Sequence, residues 1–322
     1  MYSQITDSIF MVRPVQFYRN EQTAVNNYFQ QEAGDITRTQ IQKHALEEFD
    51  LFVDKLRLNK VHVEIFEDTR SSETPDSIFP NNWLTMHDDG LIMTYPMFAE
   101  NRRKERRPDI IDQLKTEFFV DHIYSFADWE KQGKFLEGTG SLILDRPNKV
   151  AYAALSERTS VEVLDEFCRL THYTAITFQA MQTVDEERLP IYHTNVMMSV
   201  GENFAVVCLD CIDDPVERAK VEFNLNKTGK EIIAISEEQV KNFAGNILMV
   251  RNANGKPIIV MSQAAHSSYT GRQLKLLENH GEILSSPIPT IEKYGGGGVR
   301  CMMAEIFLPT PTIRNFNEVT KK

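Results

Sequence analysis

A unit of two strands and a helix recurs along this chain, and that repeat limits the folds open to it more than any single motif does. FPNNWLTMHDDGLIMTYP turns at Asp89-Gly90 and leads to a helix over 108–119. FLEGTGSLILDRPNKVAYAALS turns at Pro147-Asn148, with a helix over 161–170. HTNVMMSVGENFAVVCLDCI turns at 201–203, and Pro215, behind Asp213 or Asp214 as cap, starts the next helix. NFAGNILMVRNANGKPIIVMSQ turns at Asn254-Gly255, the strongest hairpin signal here, and its helix over 271–280 stops at Gly281. GGGGVRCMMAEIFLP is half a copy, in which the apolar run after Cys301 reads as a buried strand. A spacing of roughly 55 residues suggests a closed ring of ββα units. The strand read over 8–15 would complete the fifth unit and remove the exposed edges. Between it and the first full copy, apolar spacing predicts a helix over 36–58, and alternation predicts a strand over 61–66.

No linker, low-complexity tract or charge shift divides the chain, so residues 1–322 are expected to form one pseudo-symmetric α/β domain. A net charge of −11 argues against a nucleic-acid or membrane-surface partner. The N-terminal residues carry no basic-then-apolar signal, and no apolar run approaches the roughly 20 residues of a membrane span. Four cysteines in 322 residues are too few for a disulfide scaffold, so a reducing cytoplasm is the expected location. Homo-oligomerisation is left open by the sequence.

In such a ring the loops that open each unit converge on the axis. They carry Asn81 and Asn82, Glu137, His193 and Asn195, Asn246, and Cys301. A thiol, an imidazole and a carboxylate at equivalent places in three units make a nucleophile, base and orienter. On this reading an imidazolium at His193 lowers the Cys301 pKa, and Glu137 orients the ring. Cys208 and Cys211 form a CxxC without a second pair, and on a strand their odd separation would point them to opposite faces. His266 reads as structural.

At these residues the chain resembles the guanidino-group-modifying enzymes, the pentein superfamily of arginine deiminases, dimethylarginine dimethylaminohydrolases and amidinotransferases. The resemblance runs over about 8–309. Cys301 matches the family's nucleophile loop, His193-Thr194-Asn195 its His-x-Asp/Asn segment, and Glu137-Gly138 its Glu-Gly motif. The segment at Arg102 and the LSERT at Arg158 look like those that present arginines to a substrate carboxylate. The resemblance implies a five-bladed ββαβ propeller (the pentein fold), no metal or organic cofactor, a small amino-acid substrate and a covalent intermediate on Cys301.

Three departures bear on the substrate. Asn81 and Asn82 stand where the deiminases place a carboxylate, Asn195 stands where Asp is common, and Gly140 replaces a further Asp. Buried carboxylates favour a guanidinium, whereas Asn offers both a donor and an acceptor to a neutral group. FPNNW with HTN and GGGGVRC is similar to the citrulline-utilisation hydrolases (citrulline ureidases) of this superfamily. The expected reaction is therefore citrulline to ornithine, ammonia and carbon dioxide, with Cys301, His193 and Glu137 catalytic and Asn81, Asn82, Arg102, Arg158 and Asn195 on the substrate. Asp76 and Asp88 are the acidic candidates for its ammonium. The alternatives are an arginine or methylarginine deiminase, then an amidinotransferase, then a non-catalytic pentein.

Overall fold

The computed structural model describes residues 3–311 except 33, 35, 71 and 72, so the outer ends of the expected 1–322 domain lie outside the described residues. The fold is mixed α/β, and the strands among the described residues form five three-stranded sheets and one two-stranded hairpin. Four of the five sheets repeat one pattern: an antiparallel hairpin, a helix, then a third strand parallel to the second. They are β3 (Leu84–Met86), β4 (Leu91–Thr94) and β5 (His122–Ser125); β6 (Ile143–Asp145), β7 (Val150–Ala154) and β8 (Thr174–Phe178); β11 (Met198–Val200), β12 (Phe204–Val207) and β13 (Glu231–Ala234); and β14 (Leu248–Arg251), β15 (Pro257–Ser262) and β16 (Glu282–Ser286). The remaining sheet joins the chain ends: β1 (Ser8–Arg13) pairs antiparallel with β17 (Ala304–Glu305) and parallel with β2 (His62–Glu67).

The third strands escaped the sequence reading for a physical reason. HIYS, TAITF, EIIA and EILSS sit at the outer side of their sheets and are partly exposed, so they lack a continuous apolar run. The apolar run after Cys301 is buried, as expected, but only Ala304–Glu305 of it pairs as strand. The first long helix, Arg38–Leu58, begins with a capping box between Thr37 and Gln40 and buries Ile41, Ala45, Phe49, Phe52, Val53 and Leu56. An additional hairpin, β9 (Met181–Val184) with β10 (Glu187–Pro190), lies outside the repeat. It turns through Asp185 and Glu186, both at positive φ, where no glycine announced a turn.

The CxxC reading needs correcting. β12 ends at Val207, and Cys208 opens a tight turn over Leu209–Cys211 in which the two thiols lie beside each other. Strand alternation does not apply there, so the two side chains share one side. Among the described residues no group of three or more His, Cys, Asp or Glu is placed to hold a metal, and no helix is long and apolar enough to cross a membrane.

Neighbouring sheets are tied by polar groups from the chain itself. Gln4 Nε2 donates to Leu144 O at 2.9 Å and Val200 O at 3.1 Å, bridging the sheets of β6 and β11. Buried Lys230 pairs with buried Asp145 at 3.4 Å and donates to Gly201 O and Glu202 O. Removing one partner leaves the other charge buried alone. Lys230→Met should therefore lower unfolding free energy by about 3–5 kcal/mol, read as a lower urea midpoint.

Candidate active site

The site is built from turns that precede the first strand of several units. Pro80–Asn82 and Thr194–Val196 are matching tight turns, and they place Asn81 and Asn195 at equivalent positions ahead of β3 and β11. Glu137 stands at the start of a short helix, Gly138–Ser141, ahead of β6. Two glycines allow these loops to meet. Gly138 has φ +45°, and a Cβ there would lie 2.3 Å from Asn81 O. A Cβ on Gly140 would lie 2.4 Å from Asn82 Nδ2 and 2.7 Å from His193 Nδ1. That contact explains the missing Asp at 140: the space is taken by Asn82 and His193.

Glu137 is fully buried and ionised. Its Oε1 accepts from Phe98 N at 2.9 Å, and Oε2 accepts from His193 Nε2 at 2.8 Å. Arg158 Nη1 and Arg102 Nη1 stand 3.6 and 3.9 Å from Oε2. Burial pushes the carboxyl up, but Arg158, His193 and Arg102 outweigh it and hold its pKa at about 2. Burial carries His193 the other way, to about 4, because Glu137 only partly offsets burial and the two arginines add to it. The ring is therefore neutral near pH 7. With its proton on Nε2 toward Glu137, it turns an unprotonated Nδ1 toward Gly140 and Asn82.

The helix Pro289–Gly295 ends at Gly296 (φ +63°), and the chain then turns through Gly298 to Cys301. Cys301 is buried, 4% exposed. Its Sγ accepts from Asn246 Nδ2 at 3.2 Å and Asn195 Nδ2 at 3.3 Å. Burial raises the thiol pKa, while Asn246, Arg300, Asn195 and the Gly298 backbone draw it down. The expected imidazolium beside the thiol is thus replaced by neutral His193 and two carboxamides.

The structure brings Cys301, His193, Glu137, Asn81, Asn82 and Asn195 to one region, together with both arginines, but it uses the arginines differently. Arg102 forks onto Glu105 through Nε and Nη2, both at 2.9 Å, while Nη1 donates to Asn82 Oδ1 at 2.9 Å and Nη2 also reaches Phe79 O. Every nitrogen has a protein partner, so Arg102 positions Asn82 rather than offering a fork to a carboxylate. Arg158 donates through Nε to Asn26 Oδ1 at 2.9 Å and through Nη2 to Thr23 O at 2.8 Å, and its remaining Nη1 faces Glu137. Asp76 is at the site, holding Asn20 and Thr23 through Oδ2. Asp88 is not; it lies exposed between β3 and β4.

Sequence reasoning missed the cover. Asn20 to Gln30 lies across the site, with Asn27 and Gln30 donating to the carbonyls of Gly295 and Gly296, and Tyr192 Oη donating to Gly296 O at 2.7 Å. The only sequence signal was a cluster of amide side chains (NNYFQQ) between elements. Asn246 was placed at the axis but given no task.

Five buried side-chain atoms of the loops beneath the cover have no protein partner (Asn81 Oδ1, Asn82 Nδ2, Asn195 Oδ1, Asn246 Oδ1 and Asp76 Oδ1), and Gln30 Oε1 in the cover is a sixth. Unpaired buried polar atoms cost about 1–3 kcal/mol each, and their concentration at one place marks where a ligand belongs.

The family described as eukaryotic N,N dimethylarginine dimethylhydrolase matches residues 13–308 of the chain. The chain belongs to this family. It is thus a member of the pentein superfamily of guanidino-modifying enzymes and a hydrolase of carbon–nitrogen bonds other than peptide bonds. No curated protein sequence matches it. Solved structures share its fold at low identity. The N-terminal domain of ArgZ, covalently bound to a reaction intermediate, superposes with a TM-score of 0.70 at 16% identity, covering 94% of this chain and 98% of that one. ArgZ is described as an arginine dihydrolase from the ornithine–ammonia cycle in Cyanobacteria, and this chain spans 42% of the longer ArgZ chain. A dimethylarginine dimethylaminohydrolase carrying an S-methyl-L-thiocitrulline adduct gives a TM-score of 0.62 at 14% identity, covering 95% and 100% of the two chains.

Two measurements test this electrostatic arrangement. Arg102→Met strands Glu105 and weakens the hold on Glu137, so unfolding free energy should fall by about 3–5 kcal/mol; a residue serving only the substrate would leave the urea midpoint unchanged. Acid is the second lever. Both His193 (6.5 to about 4) and Glu137 (4.5 to about 2) have lower pKa values folded than unfolded, so the unfolded chain binds more protons. Their stabilisation is complete above about pH 6.5, and it is lost as pH falls toward 4 for His193 and toward 2 for Glu137. Glu105 and Glu292, whose carboxyls burial raises to about 8 and about 7, titrate in the opposite sense over this window. The test is therefore a comparison: between pH 7 and 4.5 the wild-type urea midpoint should fall relative to that of His193→Gln.

Proposed function

We propose that this chain hydrolyses the ureido group of a small amino acid, citrulline first, through a covalent intermediate on Cys301. One observation carries the reading. The unpartnered amide atoms around Cys301 and His193 are three acceptors (Asn81, Asn195 and Asn246 Oδ1) and one donor (Asn82 Nδ2). A ureido group, –NH–CO–NH2, presents three N–H donors and one carbonyl acceptor. A guanidinium presents five donors and no acceptor, which would leave Asn82 Nδ2 unmatched.

On this reading Cys301 sulfur attacks the ureido carbon, and its proton passes to His193 Nδ1, which Glu137 makes the basic nitrogen. Asn82 Nδ2 donates to the oxyanion of the tetrahedral adduct. Collapse breaks the bond to the side-chain nitrogen, which takes the proton from His193 and leaves as ornithine. His193 then draws a proton from water, hydroxide displaces Cys301 from the carbamoyl thioester, and carbamate falls to ammonia and carbon dioxide. Asp76 Oδ1 is the acceptor assigned to the substrate ammonium, and Arg158 is the cation assigned to its carboxylate. The five sheets are read as blades of one closed ring, the pentein propeller, in a single catalytic domain. Polar ties between adjacent sheets, including Arg251 N to Thr6 O at 2.9 Å across the chain ends, support that closure. Four free cysteines fit a cytoplasmic location.

A second reading, an arginine or methylarginine hydrolase, is favoured by the family's description and by the ArgZ likeness. The deciding assay follows ammonia, ornithine and citrulline from citrulline, arginine and dimethylarginine side by side. Ornithine from citrulline, abolished by Cys301→Ala, is the expected outcome. Citrulline as product from either guanidine would replace this proposal with the second reading.

A further inference from the structure

We infer that Asn195 and Asn246 are the groups that stabilise the anionic form of the Cys301 sulfur, a task that histidine performs in a thiolate–imidazolium pair. The inference rests on Cys301 being the nucleophile, but not on which substrate it attacks.

The first observation is where the donors point. Asn195 and Asn246 come from turns ahead of β11 and β14, and each gives a side-chain N–H to one sulfur, at 3.3 and 3.2 Å. The pair is itself braced, since Asn246 Nδ2 also donates to Asn195 O at 3.0 Å. The loop behind Asn246 is held in an uncommon conformation: buried Phe243 has φ +62° and packs its ring against Phe29 at 5.4 Å. Gly298 permits the approach, because a Cβ there would lie 2.7 Å from Asn246 Oδ1.

The second observation is what the other charges near Cys301 are doing. His193 gives Nε2 to Glu137 and is neutral near pH 7. Arg300, on the nucleophile's own loop, is spent on Met303 O at 3.0 Å and Glu305 at 3.1 Å. Arg102 is forked onto Glu105, and Arg158 lies between Asn26, Thr23 and Glu137. Asp76 is bound to Asn20 and Thr23, and Tyr192 is buried with its hydroxyl on Gly296 O. The two carboxamides are thus the side chains whose donors are committed to the sulfur. A desolvated thiolate with two N–H donors is far easier to form than one without, as hydrogen bonds to charged groups are the strong ones.

Each amide keeps its Oδ1 unpartnered and buried. Asn195 and Asn246 can therefore grip the sulfur through nitrogen and a substrate N–H through oxygen, which sets the reacting carbon over Sγ. A carboxylate at either position would accept from the substrate but repel the anionic sulfur.

The test needs no substrate. The rate at which iodoacetamide alkylates Cys301 in the purified chain, read by mass spectrometry of the Cys301 peptide from pH 6.5 to 9.5, reports the thiolate fraction. Asn246→Ala and Asn195→Ala should each slow it about tenfold at pH 7.5, although both open space beside the sulfur and would speed a reaction limited by access. Asn246→Asp, nearly the same size, should slow it at least as much and serves if an alanine variant unfolds. His193→Ala should slow it less than either asparagine variant does. A large loss in His193→Ala with unchanged rates in the asparagine variants would overturn the inference, as would a Cys301 that resists alkylation throughout. Failure of the citrulline assay leaves this result standing, and the reverse also holds.

Discussion

The site depends on a carboxylate that stays ionised at zero exposure. A buried charge is costly unless surrounded, and Glu137 is surrounded: a backbone N–H, an imidazole N–H and two guanidinium groups converge on its two oxygens. That charge dictates the tautomer of His193 and therefore which ring nitrogen meets a substrate. It also explains why both arginines are buried here. Each is tied by further bonds to Glu105 and Asn82, or to Asn26 and Thr23, so the cover segment, the first unit and the second unit are joined through one charge cluster.

Glycine provides the second constraint, by letting backbones from different units touch. At 138 and 140 a methyl group would strike the Asn81 carbonyl, the Asn82 amide and the His193 ring. The Glu-Gly pair and the second glycine are thus conditions for bringing turns of three units within hydrogen-bonding distance. The same logic holds at the nucleophile loop, where Gly296 ends its helix with a left-handed residue and Gly298 leaves room for Asn246.

Around that charged scaffold the part left for a ligand is mostly neutral. Carboxamides stand at 81, 82, 195 and 246, with Asp76 as the carboxylate beside them that keeps an unpartnered oxygen. Neutral donors and acceptors can serve both a neutral carbonyl and an anionic sulfur, where added carboxylates would oppose both.

The sequence by itself determined the repeat, the hairpin turns within it, the longer helices and the identity of the residues at the unit starts. These follow from local rules: Asn-Gly and Asp-Gly turns, proline after a capping residue, apolar spacing of helices, and the likeness of Cys301, His193 and Glu137 to a family pattern. It did not announce the exposed third strands, whose pairing is fixed by the crossover helix rather than by apolar content. Nor did it announce the β9–β10 hairpin, which turns through acidic residues at positive φ. The roles of Arg102 and Arg158 were decided only in three dimensions, because whether a guanidinium is free depends on partners as distant in sequence as Asn26 is from Arg158. The same is true of the proton on His193 and the partners of Cys301. Protonation and hydrogen bonding are set by desolvation and by groups from other units, and a chain acquires neither until it is packed.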